Sequence, residues 1–445
     1  MNDTGAARAR VLGDLVVASY LMTLEQVPGT VAVYADRAGW PDVLIYLADL
    51  QQDWLYLLAD SPDARPERVD APDALPVDGT LAGRAFQLGE ATPASASSSG
   101  QWWVPLLDGT ERLGVLRVGA PDAEVAADDD LNKLAGLVAL LLVSKRETSD
   151  TYARLVRRRD MKVASEMEWQ LMAPRTFATD RVLISAVMEP AYEVSGDAYD
   201  YALSGDTVHL ALFDAMGHDT AAGLTANLAV AAVRKHRRES SGLLRIAAAV
   251  EDFLREQFGA ERYATGILAE LDLATGLLTW TNHGHHPPVV LRGGRTVVHL
   301  ACPSAPPMGT GLDLPVKLCR DQLEPGDRLL LYTDGITEAG GRRGQEFGLQ
   351  RLTDFLIRHH ADGLPVPETL RRLIRHHLEY HQGRLDDDAT IVLLEWHGPE
   401  PFRPGQLGSR AGVPVAGADL ETVATAWAEQ PARGDDRPPP RDGRA

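Results

Sequence analysis

Short apolar runs bounded by Gly, Pro and Asp alternate with longer stretches of helical spacing along most of this chain, and the two halves use them differently. In the first half the pattern predicts a helix over 11–24. Strands are expected at Thr30–Tyr34, Val43–Leu47 and Trp54–Leu58. A capped helix start follows at 78–86, then a hairpin of 102–107 with 113–118 around Asp108 and Gly109. Leu131, Leu134, Val138 and Leu141 mark the next helix, with Asp128, Asp129 and Asp130 at its positive end. Val156, Val163, Met167 and Leu171 continue at helical spacing, and neither Gly nor Pro intervenes between Val138 and Ala173. A nearly continuous connector helix is therefore expected, either as a parallel coiled-coil dimer that transmits a signal or as a passive spacer.

After Pro174 strands dominate. They are expected at 182–188, 207–213, 263–273, 277–282, 288–292, 296–300, 329–333 and 389–396, with helices at 220–236, 242–258, 349–359 and 367–381. From about Pro401 the periodicity fades, so a disordered tail is expected over 399–445, with a short helix at 418–429 as an alternative for part of it.

Composition narrows the function. At 445 residues the chain is long enough for two or three domains. Its net charge of −19 argues against nucleic acid or an anionic membrane as a main partner. No apolar run approaches the roughly 20 residues of a bilayer span, and no secretory leader is visible. Cys302 and Cys319 lack a disulfide framework or a paired-thiol motif, so they read as incidental thiols in a reducing cytoplasm. All 13 His lie at position 209 or later, which leaves the first half without a haem-ligating His.

The chemistry starts at Asp214, where an apolar strand ends and Gly217 and His218 follow. Alone, such an Asp is as readily a turn residue as a ligand. Asp197, Asp334 and Asp387 occupy similar strand boundaries. Four carboxylates brought together need cations to remain ionised, and oxygen-only ligands favour Mg²⁺ or Mn²⁺.

Several ordered motifs, VSGDAYD, LFDAMGHDTAAGLTA, YATGILAELD, NHGHHPPVVL, PPMGTG, GDRLLLYTDGITEA and DDDATIVLLEW, resemble the metal-dependent PPM-type phosphatases of the protein phosphatase 2C family. Within it they are most similar to the bacterial sporulation stage II E branch, which regulates sigma-factor networks. The resemblance implies an α/β (α+β) chain whose phosphatase domain, residues 179–398, is an α-β-β-α sandwich. It implies two Mn²⁺ or Mg²⁺ ions, with Asp214 bridging both, the Ala215 carbonyl on one, Asp334 and Asp387 on the second, and Asp197 bound through water. Asp387 is preferred to Asp388 because the family's ligand precedes Thr390 by three residues. The implied reaction is hydrolysis of phosphoserine or phosphothreonine by a water held between the ions. The likeness to the branch further implies a phosphorylated anti-anti-sigma (STAS-domain) protein as substrate.

Departures from the pattern are Ser195 and Asp219, where Gly is usual, and Met216, where eukaryotic relatives carry an acid-donating His. His218 is the candidate substitute, or a simple backbone partner. His283, His285 and His286 fall in a turn that is structural in the family. DGTLAGRAF and WWVPLLDGTERLGVLRV are similar to GAF domains over 10–145, with a PAS-like module as the competitor. Such a domain reads as a sensor of an unknown ligand or as a dimerisation unit. Residues 146–178 form the connector. The expectation is a cytoplasmic, homodimeric, sensor-regulated protein phosphatase; the alternative is a weakly active signalling scaffold on the same fold.

Overall fold

A computed structural model describes residues 3–59, 71–95, 100–120, 130–189, 192–193, 195–217, 219–338, 347–382, 385, 387–400 and 409–414. The N-terminal unit is built on an antiparallel sheet in the order β3-β2-β1-β6-β5-β4. These strands are β1 Leu44–Ala48, β2 Trp54–Leu57, β3 Ala74–Pro76, β4 Thr92–Pro93, β5 Gln101–Asp108 and β6 Glu111–Gly119. Both faces are covered, which is why its central strands are apolar on both sides. One face packs against helices Asp3–Ala18, Val27–Arg37 and Asp130–Arg146, and the other against Leu81–Leu88.

Thr30–Tyr34, expected as a strand, lies inside helix Val27–Arg37. Its β-branched residues suit a strand, but Val27, Val31 and Ala35 are buried at intervals of four, and Pro28 sits in the first turn, where its missing N–H costs nothing. The continuous connector is also corrected. It consists of three helices, Asp130–Arg146, Asp150–Val156 and Val163–Leu171. Ser149 ends the first by capping the second, its side chain accepting the Thr151 N–H. Leu131, Leu134, Val138 and Leu142 bury themselves in the core of the N-terminal unit, so that stripe is used within the chain rather than left for a second copy.

The second unit is a four-layer sandwich, as expected. One sheet has the order β15-β12-β11-β10-β9 and the other β14-β13-β16-β17-β8-β7. Here β7 is Thr176–Ala178, β8 Val182–Glu189, β9 Asp197–Ser204, β10 Thr207–Ala215, β11 Ala264–Asp272 and β12 Leu277–His283. The rest are β13 Val289–Arg292, β14 Thr296–His299, β15 Cys319–Gln322, β16 Arg328–Tyr332 and β17 Ala389–Trp396. Every pairing is antiparallel. Trp280, Leu212, Ile267, Leu331 and Leu394 fill the space between the sheets. Helices Thr220–Arg238 and Leu243–Phe258 cover one outer face, and Gly348–Ala361 and Val366–Tyr380 the other.

Two smaller expectations change. Cys302 and Cys319 are joined in a disulfide with Cα atoms 5.8 Å apart, because the chain between them returns to form edge strand β15. Residues 409–414, inside the expected disordered tail, pack on the sandwich: Ala411 is buried and Arg410 pairs with Glu395. The alternative helix at 418–429 lies outside the described residues. No helix among the described residues is long and apolar enough to cross a membrane.

A buried ionic joint connects the units. Glu368 on the Val366–Tyr380 helix meets Arg371 at 2.9 Å, Arg372 at 2.7 Å and Arg112 of β6 at 3.4 Å. Arg371 also reaches Asp78 of the N-terminal unit at 2.6 Å.

Candidate metal centre

The β9/β10 register places Asp197, the first residue of β9, directly opposite Asp214 near the end of β10; on its other side Asp214 faces Thr265 of β11. The second sheet arrives at the same edge through the residues that flank β16 and β17. Thr333, just after β16, donates its hydroxyl to Asp197 Oδ2 at 2.7 Å and accepts the Thr390 N–H at 2.9 Å. Asp388, just before β17, accepts the Gly196 N–H. These bonds stitch the two sheets together at the acidic edge.

Glycine is required where the backbones meet. A Cβ on Gly196 would stand 2.6 Å from the carbonyl oxygens of both Ala215 and Gly217. One on Gly335 would overlap the Asp388 carbonyl.

The carboxylates sense one another. Burial, followed by the charges of Asp334, Asp387 and Asp388, pushes Asp214 up to about 7. Burial, then Asp214 and Asp388, holds Asp197 well above the ordinary carboxylate range. Asp334 is raised by burial and by Asp387 and Glu338, with His286 opposing. Asp197, Asp214, Asp334 and Asp387 are thus brought to one edge, and Ala215 is buried beside them with its N–H on the Gly196 carbonyl at 2.8 Å. Among the described residues no group of three or more His, Cys, Asp or Glu side chains stands close enough to hold a metal ion as the side chains are placed. An oxygen-only set of mutually repelling carboxylates, of which Asp197 is buried, Asp214 and Asp334 half-buried and Asp387 exposed, is chemically suited to hard divalent cations. His218 lies outside the described residues.

The departures find local explanations. Ser195 is fully buried and its Oγ accepts the Asp197 N–H at 2.9 Å, a turn that Gly could not make. Asp219 caps helix Thr220–Arg238 through the Ala222 N–H at 2.8 Å and pairs with Arg262. Met216 stands half exposed beside the site.

The His trio is held by structural bonds. His285 lies between Thr265 Oγ1 at 2.7 Å and the Tyr332 carbonyl at 3.1 Å, and His283 meets Thr281 at 3.1 Å. Burial pushes both imidazoles down to about 4. His377 is buried and donates Nε2–H to the Gly335 carbonyl at 3.0 Å. Sequence reasoning missed Thr333, and it preferred Asp387 to Asp388 without showing that Asp388 is the buried one and Asp387 the exposed one. The run Asp386 to Asp388 signalled a carboxylate there, but not which one points inward.

The chain is 25% identical over 243 residues to Protein IcfG of Synechocystis sp., covering 47% of this chain and 37% of that protein. It is 23% identical over 248 residues to phosphoserine phosphatase RsbP of Bacillus subtilis, covering 54% and 59%. The chain therefore spans well under two thirds of the length of these relatives. Among solved structures, the RsbU and RsbW domains of Rv1364c from Mycobacterium tuberculosis align with a TM-score of 0.44 at 24% identity, over 50% of this chain and 61% of that one. The family model of stage II sporulation protein E matches residues 204–397, which contain Asp214, Asp334 and Asp387 and leave Asp197 and the N-terminal unit outside.

Proposed function

We propose that this chain is a metal-dependent protein serine/threonine phosphatase. The observation that carries the reading is Asp214, half-buried at a sheet edge directly opposite Asp197, with Asp334, Asp387 and Asp388 near enough for their charges to push it up. Such a cluster is costly without cations. Two divalent ions, Mn²⁺ or Mg²⁺, would supply that charge, lower the pKa of a water and favour in-line displacement at phosphorus. Asp214 would bridge them, with the Ala215 carbonyl and, through water, Asp197 toward one and Asp334 and Asp387 toward the other. The remaining residues orient these groups. Thr333 fixes the Asp197 carboxylate, and His377 fixes the Gly335 carbonyl beside Asp334. Asp388 holds the Gly196 turn against the opposite sheet.

The name of the relative RsbP supports phosphoserine as the scissile group. The resemblance of the motifs supports a phosphorylated anti-anti-sigma protein as substrate. The helix-flanked N-terminal sheet fits a GAF-like sensor, and the Arg112–Glu368 joint gives it a physical connection to the sandwich. Purified protein should release phosphate from a phosphoserine peptide when Mn²⁺ is added and stop when chelator is in excess. Turnover that persists in chelator overturns the two-ion reading, and absence of turnover with any phosphoserine or phosphothreonine protein favours the scaffold alternative.

A further inference from the structure

Helix Val163–Leu171 lies outside the segment matched by the family model, yet one of its side chains reaches the acidic edge. Glu168 is 2% exposed, and its Oε2 accepts the Ser195 N–H at 3.2 Å. Ser195 in turn accepts the Asp197 N–H on its hydroxyl at 2.9 Å. Two consecutive hydrogen bonds thus run from the connector to the backbone of Asp197. Gly196, between them, donates to Asp388. The same helix grips this loop at its other end, where the Lys162 N–H and the Ser165 hydroxyl meet the Tyr192 carbonyl at 3.4 and 3.5 Å.

Packing alone gives no reason for a carboxyl at this position. Among the described residues Glu168 Oε1 is buried without a hydrogen-bond partner, and burial, with the charge of Asp388 nearby, pushes the carboxyl up to about 8. An apolar side chain would avoid both penalties but would leave the Ser195 N–H unpaired in a buried turn. The acceptor on Ser195 is what the position supplies.

We infer that Glu168 is a positioning residue for the metal centre, holding the Ser195–Asp197 turn so that Asp197 faces Asp214, and that the centre is complete only while the connector helix is docked. This rests on the two-ion reading above. The connector is itself tied to the sensor unit, since the Val156 carbonyl accepts the Leu50 N–H at 3.1 Å. A sensor movement that lifted Val163–Leu171 would withdraw the acceptor from the ligand turn without touching a ligand.

The test uses the full chain with Glu168→Gln, which keeps a carbonyl acceptor, Glu168→Ala, which removes it, and Ser195→Ala, which cuts the second bond. Two readouts avoid turnover: hydrogen exchange of the Ser195 amide in metal-free protein, and Mn²⁺ affinity by calorimetry. Glu168→Ala should speed exchange at Ser195 at least tenfold and weaken Mn²⁺ binding about 10–100-fold, the range for lost outer-shell support. Glu168→Gln should stay within about threefold of wild type on both. Should Glu168→Ala not fold, Ser195→Ala decides, with the same expected loss of Mn²⁺ affinity. A folded Glu168→Ala with wild-type exchange and affinity overturns the inference, as does Ser195→Ala with wild-type affinity. Wild-type protein that binds no Mn²⁺ would defeat the two-ion reading and with it the metal role of Glu168; faster exchange in Glu168→Ala would then support only the hold on the turn.

Discussion

Asp214 and Asp197 stand opposite each other across adjacent antiparallel strands, and a threonine from the other sheet is hydrogen-bonded to Asp197. The acidic centre is therefore not a loop feature. It is set by the register of β9 against β10 and by the closeness of two sheet edges, so changes far from any ligand should reach it.

The first prediction concerns pH. Asp214 has a folded-state value of about 7 against an ordinary 3.8. The stability it contributes is full below the unfolded value and is lost as pH rises from about 4 to 7. His283, His285 and His377, buried neutral with values near 4, act in the opposite sense and destabilise the fold as pH falls below about 6.5. The Asp214 contribution is isolated by difference. In metal-free protein, Asp214→Asn should gain on wild type by on the order of 2 kcal/mol between pH 4.5 and 7.5 in urea melts. A gap that does not change with pH contradicts the burial and charge argument.

Gly335→Ala tests the contact between sheet edges. Its Cβ would overlap the Asp388 carbonyl, and overpacking of this kind costs about 1–3 kcal/mol. Asp334 is the adjacent residue, so Mn²⁺-dependent turnover should fall at least tenfold. Wild-type turnover and stability would show that the edge has slack that the geometry denies.

Glu368→Ala tests the joint between the units. Burial acts to raise Glu368, but the bonds and charges of Arg371, Arg112 and Arg372 outweigh it and hold the carboxyl below its usual range. Removing it leaves Arg112 and Arg371, each 3% exposed, without their buried counter-charge. The expected loss is about 3–5 kcal/mol, with faster proteolysis of the connector. A change under 1 kcal/mol would mean that water enters the joint freely.

The Cys302–Cys319 bond should contribute about 3 kcal/mol, as expected for a closed loop of this length. A reductant should lower the melting temperature of wild type and leave Cys302→Ala unchanged. Equal responses would show that the bond adds nothing in solution.

Much of the sandwich was legible because strands such as Thr207–Ala215 and Ala389–Trp396 are long apolar runs with Asp at one boundary, Asp214 near the end of the first and Asp388 just before the second. Its helices carry one apolar face each. Asp197, Asp214, Asp334 and Asp387 were legible as strand-boundary carboxylates, and the structure brings them to one edge. What escaped depends on long-range contact. The β-branched residues of Thr30–Tyr34 concealed a helix whose burial repeats every four residues. The connector's apolar spacing did not reveal that Ser149 would start a new helix or that the core of the N-terminal unit would absorb the stripe. Glu168 and Thr333 carry no local signal, because each acts on a partner 27 or 136 residues away.

The most direct measurement is phosphate release from a phosphoserine protein as Mn²⁺ is titrated, wild type against Asp214→Asn, with both proteins shown to be folded. The account predicts saturable, Mn²⁺-dependent turnover for wild type and a loss of at least a hundredfold for Asp214→Asn at every Mn²⁺ concentration. Equal turnover by the two proteins would contradict it.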